Sequence, residues 1–174
     1  MRGPILLAIA LILTAAPAPP AQEPPTARAE LIDARGRNVG RASLRETPNG
    51  GVLIDLDISG LPPGSHGYHI HRTGRCDPPS FASAGDHYAP RGRSHGILHP
   101  DGPHAGDLLN VHIPAAGRIH VEQLAPHVTL APDETATLFD DDGSAIVIHA
   151  DADDYRSQPS GDSGDRIACG VIRR

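Results

Sequence analysis

The chain contains no lysine and no tryptophan. All 15 basic residues are arginine, and aromatics make up only 3% of its 174 residues. A core built from this sequence must therefore be aliphatic. No basic run occurs and the net charge is −6, so the electrostatic footprint of a nucleic-acid-binding protein is missing. Helical periodicity fails beyond one or two turns and no internal repeat is present, which sets aside helical bundles and solenoids. Long apolar runs are also lacking. The stretch Ile5–Ala16 is 12 residues long, too short to span a bilayer comfortably. It follows Arg2 and precedes small residues at Ala16-Pro17-Ala18 and Ala21. Residues 1–21 are therefore expected to be a secretory signal peptide, 22–26 a Pro-rich linker and 27–174 the folded domain. No cysteine lies near the cleavage region, so a lipid anchor has no attachment residue and no stable membrane anchor is expected. Loss of Arg2 with the leader takes the net charge from −6 to −7.

What is abundant is turn-forming: 19 glycines and 18 prolines. Between the turns lie short alternating stretches. Val52–Ser59 sets Ile54, Leu56 and Ile58 against Asp55 and Asp57, the pattern of a strand with one wet face. Further strands are expected over Arg28–Ala34, Val39–Glu46, Gly67–His71, Leu108–Ile113, Arg118–Gln123, Thr135–Leu138, Ser144–His149 and Ile167–Ile172. About eight short strands with frequent turns predict an all-β sandwich or barrel.

The stretch from His69 to Asp107 has no periodic apolar run, and a long irregular segment in a compact domain is usually functional or disordered. His69 and His71 end a strand pattern, and side chains at i and i+2 share a strand face. His87, His95, His104 and Asp107 follow at separations of 8, 9 and 3 residues, among glycines that let a backbone turn tightly. Three imidazoles and one carboxylate suit a closed zinc site, and imidazoles also suit copper.

The segments GYHIH, SAGDHYAP, SHG, GPHAGDL, VIHADADD and GDRIACGVI, in this order, resemble a bacterial, exported Cu,Zn superoxide dismutase from about Ala27 to Ile172. The resemblance implies a flattened eight-stranded Greek-key barrel, or β-sandwich, with two long functional loops. It implies copper held by His69, His71, His87 and His149, and zinc held by His87, His95, His104 and Asp107, with His87 shared and catalytic. Asp153 matches the acid that hydrogen-bonds one histidine of each metal, and Arg166 matches the guiding arginine that receives the substrate, superoxide. Cys76 and Cys169 are expected to be bridged, in keeping with an oxidising periplasmic or extracellular location. The alternative is an exported protein that buffers copper or zinc without turnover. Quaternary structure, a homodimer included, stays open, since the dimer-forming insertions of many periplasmic relatives are not evident.

Several residues depart from the pattern or fall outside it. Ala89 stands where the family often has Asn. The Tyr155–Asp165 segment is shorter than in the animal enzymes and has no Lys, with only Arg156 and Arg166 for positive charge there, beside several Asp, so local steering of an anion is expected to be weaker. His66 is expected to be structural, His112 and His120 to lie on a solvated strand face, and His99 and His127 to match no ligand position.

Overall fold

The computed structural model describes residues 24–132 and 134–174; the expected leader and its cleavage point lie outside them. Nine strands are present among these residues: β1 (Thr26–Asp33), β2 (Asn38–Glu46), β3 (Val52–Ser59), β4 (Gly64–His66), β5 (Tyr68–His71), β6 (Val111–Ile113), β7 (Arg118–Ala125), β8 (Ala145–His149) and β9 (Arg166–Val171). The first begins at Thr26, inside the stretch read as linker. Apart from one 3₁₀ turn at Ala82–Ala84, no helix occurs among the described residues.

Seven strands form one curled antiparallel sheet in the order β5-β8-β9-β1-β2-β3-β7, and β4 pairs with β6. The order is Greek-key: the chain leaves β3 for the far edge at β5 and returns from β7 to β8. Alternation makes the barrel. In β3, Val52, Ile54, Leu56 and Ile58 are buried while Leu53, Asp55 and Asp57 are only partly covered. The interior is aliphatic, with Tyr68 and Tyr88 its buried aromatics. Each fully buried Leu or Ile contributes roughly 1.5–3 kcal/mol relative to exposure.

Two expectations change in detail. Gly64–His66, not expected as a strand, forms β4, and the chain passes from it into β5 through Gly67. Gly67 N–H donates to Asp151 O (2.7 Å) and Gly67 O accepts from His149 N–H (2.9 Å), which switches pairing from β6 to β8. A Cβ at Gly67 would lie 2.8 Å from Ser163 Cβ and 3.2 Å from His69 Cε1, so only glycine fits at the switch. Thr135–Leu138 is not a strand. Its apolar residues are buried, but it makes a single bridge, Thr129–Thr137, and Tyr88 Oη donates to Thr137 O (2.6 Å) where a ladder partner would otherwise sit.

Strands β5 and β8 are buried on both faces. Ile70, Ile146 and Ile148 face the barrel core. On the outer face Ala145, Val147 and Cys169 pack with Phe81 and Ala84, joined by Ile32 and Cys76, in a second small cluster. The loop after β5 covers this cluster, tied down by the Cys76–Cys169 disulfide as expected. The bridge closes 93 residues of chain, worth about 4–5 kcal/mol in the chain-entropy account. Cys76→Ala should lower unfolding stability by about that much. Amide exchange should accelerate in residues 72–86 before it does in β1–β3, because the loop has little apolar material of its own. Equal acceleration in loop and strands would contradict this order.

Candidate metal centre

Strand β5 carries His69 and His71 on its outer face, and β8 delivers His149 beside them. The loop brings His87 against His71 and Asp107 against His69 as isolated bridges to the free edge of β5. Backbone bonds fix this arrangement: Ile70 N–H to Gly106 O (2.9 Å) and Tyr88 N–H to Ile70 O (2.8 Å). Two donor groups result, His69, His71, His87 and His149, and His87, His95, His104 and Asp107, with His87 in both.

Hydrogen-bond partners decide which ring nitrogens carry protons. His71 Nδ1 faces Gly85 O (2.8 Å) and His149 Nδ1 faces Gly164 O (3.2 Å). A carbonyl only accepts, so both Nδ1 atoms bear the hydrogen. Burial, above all, holds both rings below the ordinary imidazole range, His149 down to about 3, so they are neutral at neutral pH. Their Nε2 lone pairs then face one another across 3.4 Å. That contact is repulsive unless a cation lies between them. His69 donates from Nε2 to Asp153 Oδ2 (2.8 Å), leaving Nδ1 buried without a protein partner. His87 Nδ1 faces Asp107 Oδ1 (3.0 Å), and its Nε2 is equally unpartnered. Burial pushes His69 down as well, and His87 to about 4. Four neutral imidazoles thus turn bare nitrogens toward one point, the donor set that suits copper.

The second group converges on one oxygen. Asp107 Oδ1 lies 3.0 Å from His87 Nδ1, 3.1 Å from His95 Nδ1 and 3.2 Å from His104 Nδ1. Its other oxygen accepts the N–H groups of Gly96 (2.8 Å) and His104 (3.0 Å), which fixes the carboxylate plane. Burial raises the Asp107 pKa, but hydrogen bonds from His104, His87 and His95 more than offset it and hold the group well below the carboxylate range. Three imidazole nitrogens and one ionised oxygen at contact distance fit a closed zinc site.

Asp153 joins the groups. Its Oδ2 takes His69 Nε2, and its Oδ1 takes His95 Nε2 (3.0 Å) and Tyr155 N–H (2.6 Å). Burial pulls the His95 pKa down, yet its bonds to Asp107 and Asp153 carry it up to about 9. Arg166 opens β9 opposite His149. Its guanidinium is half-buried and donates to Phe81 O (2.8 Å) and Gly85 O (2.7 Å), the latter being the carbonyl that also holds His71.

The eight residues of these groups include every expected ligand and Asp153, with Arg166 beside them. His66 sits behind it, with ring nitrogens at His149 O (2.8 Å) and Pro62 O (2.9 Å). His99 stands outside both groups, its Nδ1 accepting from Asp101 N–H (3.2 Å). His112 and His120 are exposed, as expected, and His120 pairs with Asp57 (3.0 Å) on the solvent face of β3 and β7. Three residues went unnoticed: Asn110, which holds the Asp153 main chain, Gln158, which holds that of His95, and Gly161, which packs flat against both side chains. Amides in loops carry no periodicity that could mark them.

Comparison with known proteins gives the family. The profile of the copper/zinc superoxide dismutase family matches residues 38–172. A Cu-Zn superoxide dismutase of Aquifex aeolicus is 51% identical over 148 residues, covering 84% of this chain and 86% of its own. That of Caulobacter vibrioides is 42% identical over 140 residues, covering 79% and 80%. Among solved structures, a superoxide dismutase-like protein from Bacillus subtilis superposes with a TM-score of 0.81 at 39% identity, covering 83% of this chain and 96% of that one. The Cu/Zn superoxide dismutase of Brucella abortus gives 0.68 at 28% identity, covering 84% and 99%. With the family profile matching residues 38–172 and a Cu-Zn superoxide dismutase 51% identical over 84% of this chain, the chain belongs to the copper/zinc superoxide dismutase family.

Proposed function

We propose that the protein is an exported superoxide dismutase, with copper at His69, His71, His87 and His149 and zinc at His87, His95, His104 and Asp107. The observation that carries the reading is His87: one ring turns an unpartnered nitrogen to the first group and its other nitrogen to the second. Copper when bound supplies a one-electron couple that superoxide can reduce and then oxidise, whereas zinc supplies charge without redox chemistry. Overall, two superoxide ions and two protons yield dioxygen and hydrogen peroxide.

The chain's residues do the rest. Gly85 O and Gly164 O set the tautomers of His71 and His149, and Asp153 sets those of His69 and His95, so the donor atoms are oriented before metal arrives. His87 Nε2, buried without a protein partner, would be a copper donor and is also a nitrogen able to hold a proton inside the site. Arg166 uses two of its N–H groups on carbonyls, which leaves a fixed cation beside His71 to receive a small anion. Among the described residues no helix is long and apolar enough to cross a membrane, and the disulfide suits an oxidising compartment. A metal buffer would need the donor groups but not a guanidinium braced against them.

Protein lacking residues 1–21 and loaded with both metals should bind one copper and one zinc per chain and dismutate superoxide. Binding of both metals without turnover would favour the buffer. His87→Ala should weaken both metals together, read by chelator competition; loss at one site alone would contradict the shared ring.

Arg166→Ala should lower kcat/KM by about tenfold or more, the span typical of electrostatic steering. Arg166→Lys should keep much of the activity and Arg166→Glu the least, with metal content unchanged in all three. The chain is net negative, so the near cation must offset distant repulsion. Wild-type activity should also fall as ionic strength rises past about 0.1 M, where the Debye length is about 10 Å. An Arg166→Glu enzyme as fast as wild type at low salt would contradict the role.

A further inference from the structure

We propose that Gln158 is a positioning residue for the zinc group: its side-chain amide grips both ends of the His95 peptide and so sets where that ring points. The inference rests on the assignment of His95 as a zinc donor.

His95 lies in a stretch without a ladder partner. Among the described residues its main-chain N–H is met by Gln158 Oε1 (3.0 Å) and its C=O by Gln158 Nε2 (2.9 Å). The amide stands in for a neighbouring strand. Nε2 also donates to Arg156 O (3.0 Å), so both of its hydrogens are used. Turning the amide over would set N–H against N–H and oxygen against two carbonyls, so the orientation is fixed by its partners.

The platform beneath Gln158 is rigid. Asp154 Oδ1 accepts the N–H groups of Arg156 and Ser157 (2.8 Å each), Gly161 N–H donates to Ser157 O (2.7 Å) and Asp154 N–H to Gly161 O (2.9 Å). Gly161, at φ +68°, presses on the bond between His95 and Asp153. A Cβ there would overlap Asp153 Oδ1 and lie 2.7 Å from His95 Nε2. The same amide device recurs across that bond. Asn110 Oδ1 accepts Asp153 N–H (2.8 Å) and Asn110 Nδ2 donates to Asp153 O (2.9 Å). Each member of the His95–Asp153 pair is therefore held through its main chain by a primary amide. A shift of the His95 peptide would move Nδ1 off Asp107 and Nε2 off Asp153 together. The acidic late loop thus acts as a template for the zinc group. Gln158 is itself at the surface, so its hold competes with water and the effect of losing it is moderate.

The test is zinc affinity by chelator competition in the full chain, for wild type, Gln158→Ala and the isosteric Gln158→Glu, which sets a carboxylate oxygen against the carbonyls of His95 and Arg156. Both variants should bind zinc about tenfold more weakly, the lower end for partners that orient a ligand. The visible spectrum of cobalt placed at the site should change, while the melting temperature of metal-free protein moves little. Affinity within twofold of wild type, with an unchanged cobalt spectrum, would overturn the role. So would a loss of melting temperature as large without metal as with it, since that marks general stabilisation. If wild type itself takes up no zinc, the donor assignment fails instead, and the inference falls with it.

Discussion

Six imidazoles and two ionised carboxylates are held in contact, largely out of water. Packing so many polar groups together is unfavourable unless each is partnered, and partnering through hydrogen bonds alone fails here. Two lone pairs face each other across 3.4 Å, and two ring nitrogens are buried with no partner at all. The constraint is that cations must complete the cluster. Much of the fold around it is the scaffold that keeps these groups converged: the double burial of β5 and β8, the disulfide over the outer cluster, the glycine switch at residue 67, and the carbonyls that leave the Nε2 atoms of His71 and His149 bare.

Much of this was legible in the sequence, for physical reasons. Period-two alternation marks the barrel strands because each has one face in the core. His69 and His71 are readable as a pair because i and i+2 share a face. The disulfide and the two donor groups came instead from the family resemblance that the ordered motifs carry, and the structure brings those residues together. What escaped was set by tertiary partners. Gly67 looks like any glycine in a strand until Ser163 and His69 close around it. Leu108–Ile113 alternates well enough to be a strand throughout, yet pairing begins only at Val111. Asn110 spends its N–H on Tyr155 Oη and its amide on Asp153. Thr135–Leu138 buries its apolar side chains as a strand would, but Tyr88 takes the carbonyl that a ladder would use.

The late loop shows how one segment can serve positioning at some cost to steering. Asp151, Asp154, Asp162 and Asp165 are exposed along the segment that leads to Arg166, and the loop's other cation is Arg156. An anion approaching from a distance meets little help from this loop. In return, the carboxylate of Asp154 closes the loop on itself, the main chain at residues 155–161 packs against the zinc-side segment, and Gly164 O orients His149. In the proposed mechanism attraction is left to Arg166, whose cation is held by the same Gly85 carbonyl as His71.

The central claim is that two different cations occupy two groups joined by one ring. Anomalous diffraction from a crystal of the metal-loaded protein, recorded at the copper and zinc absorption edges, tests it most directly. The account predicts one copper peak among His69, His71 and His149, one zinc peak among His95, His104 and Asp107, and the His87 ring between them. A single peak, or the same element at both positions when both metals are supplied, would contradict it.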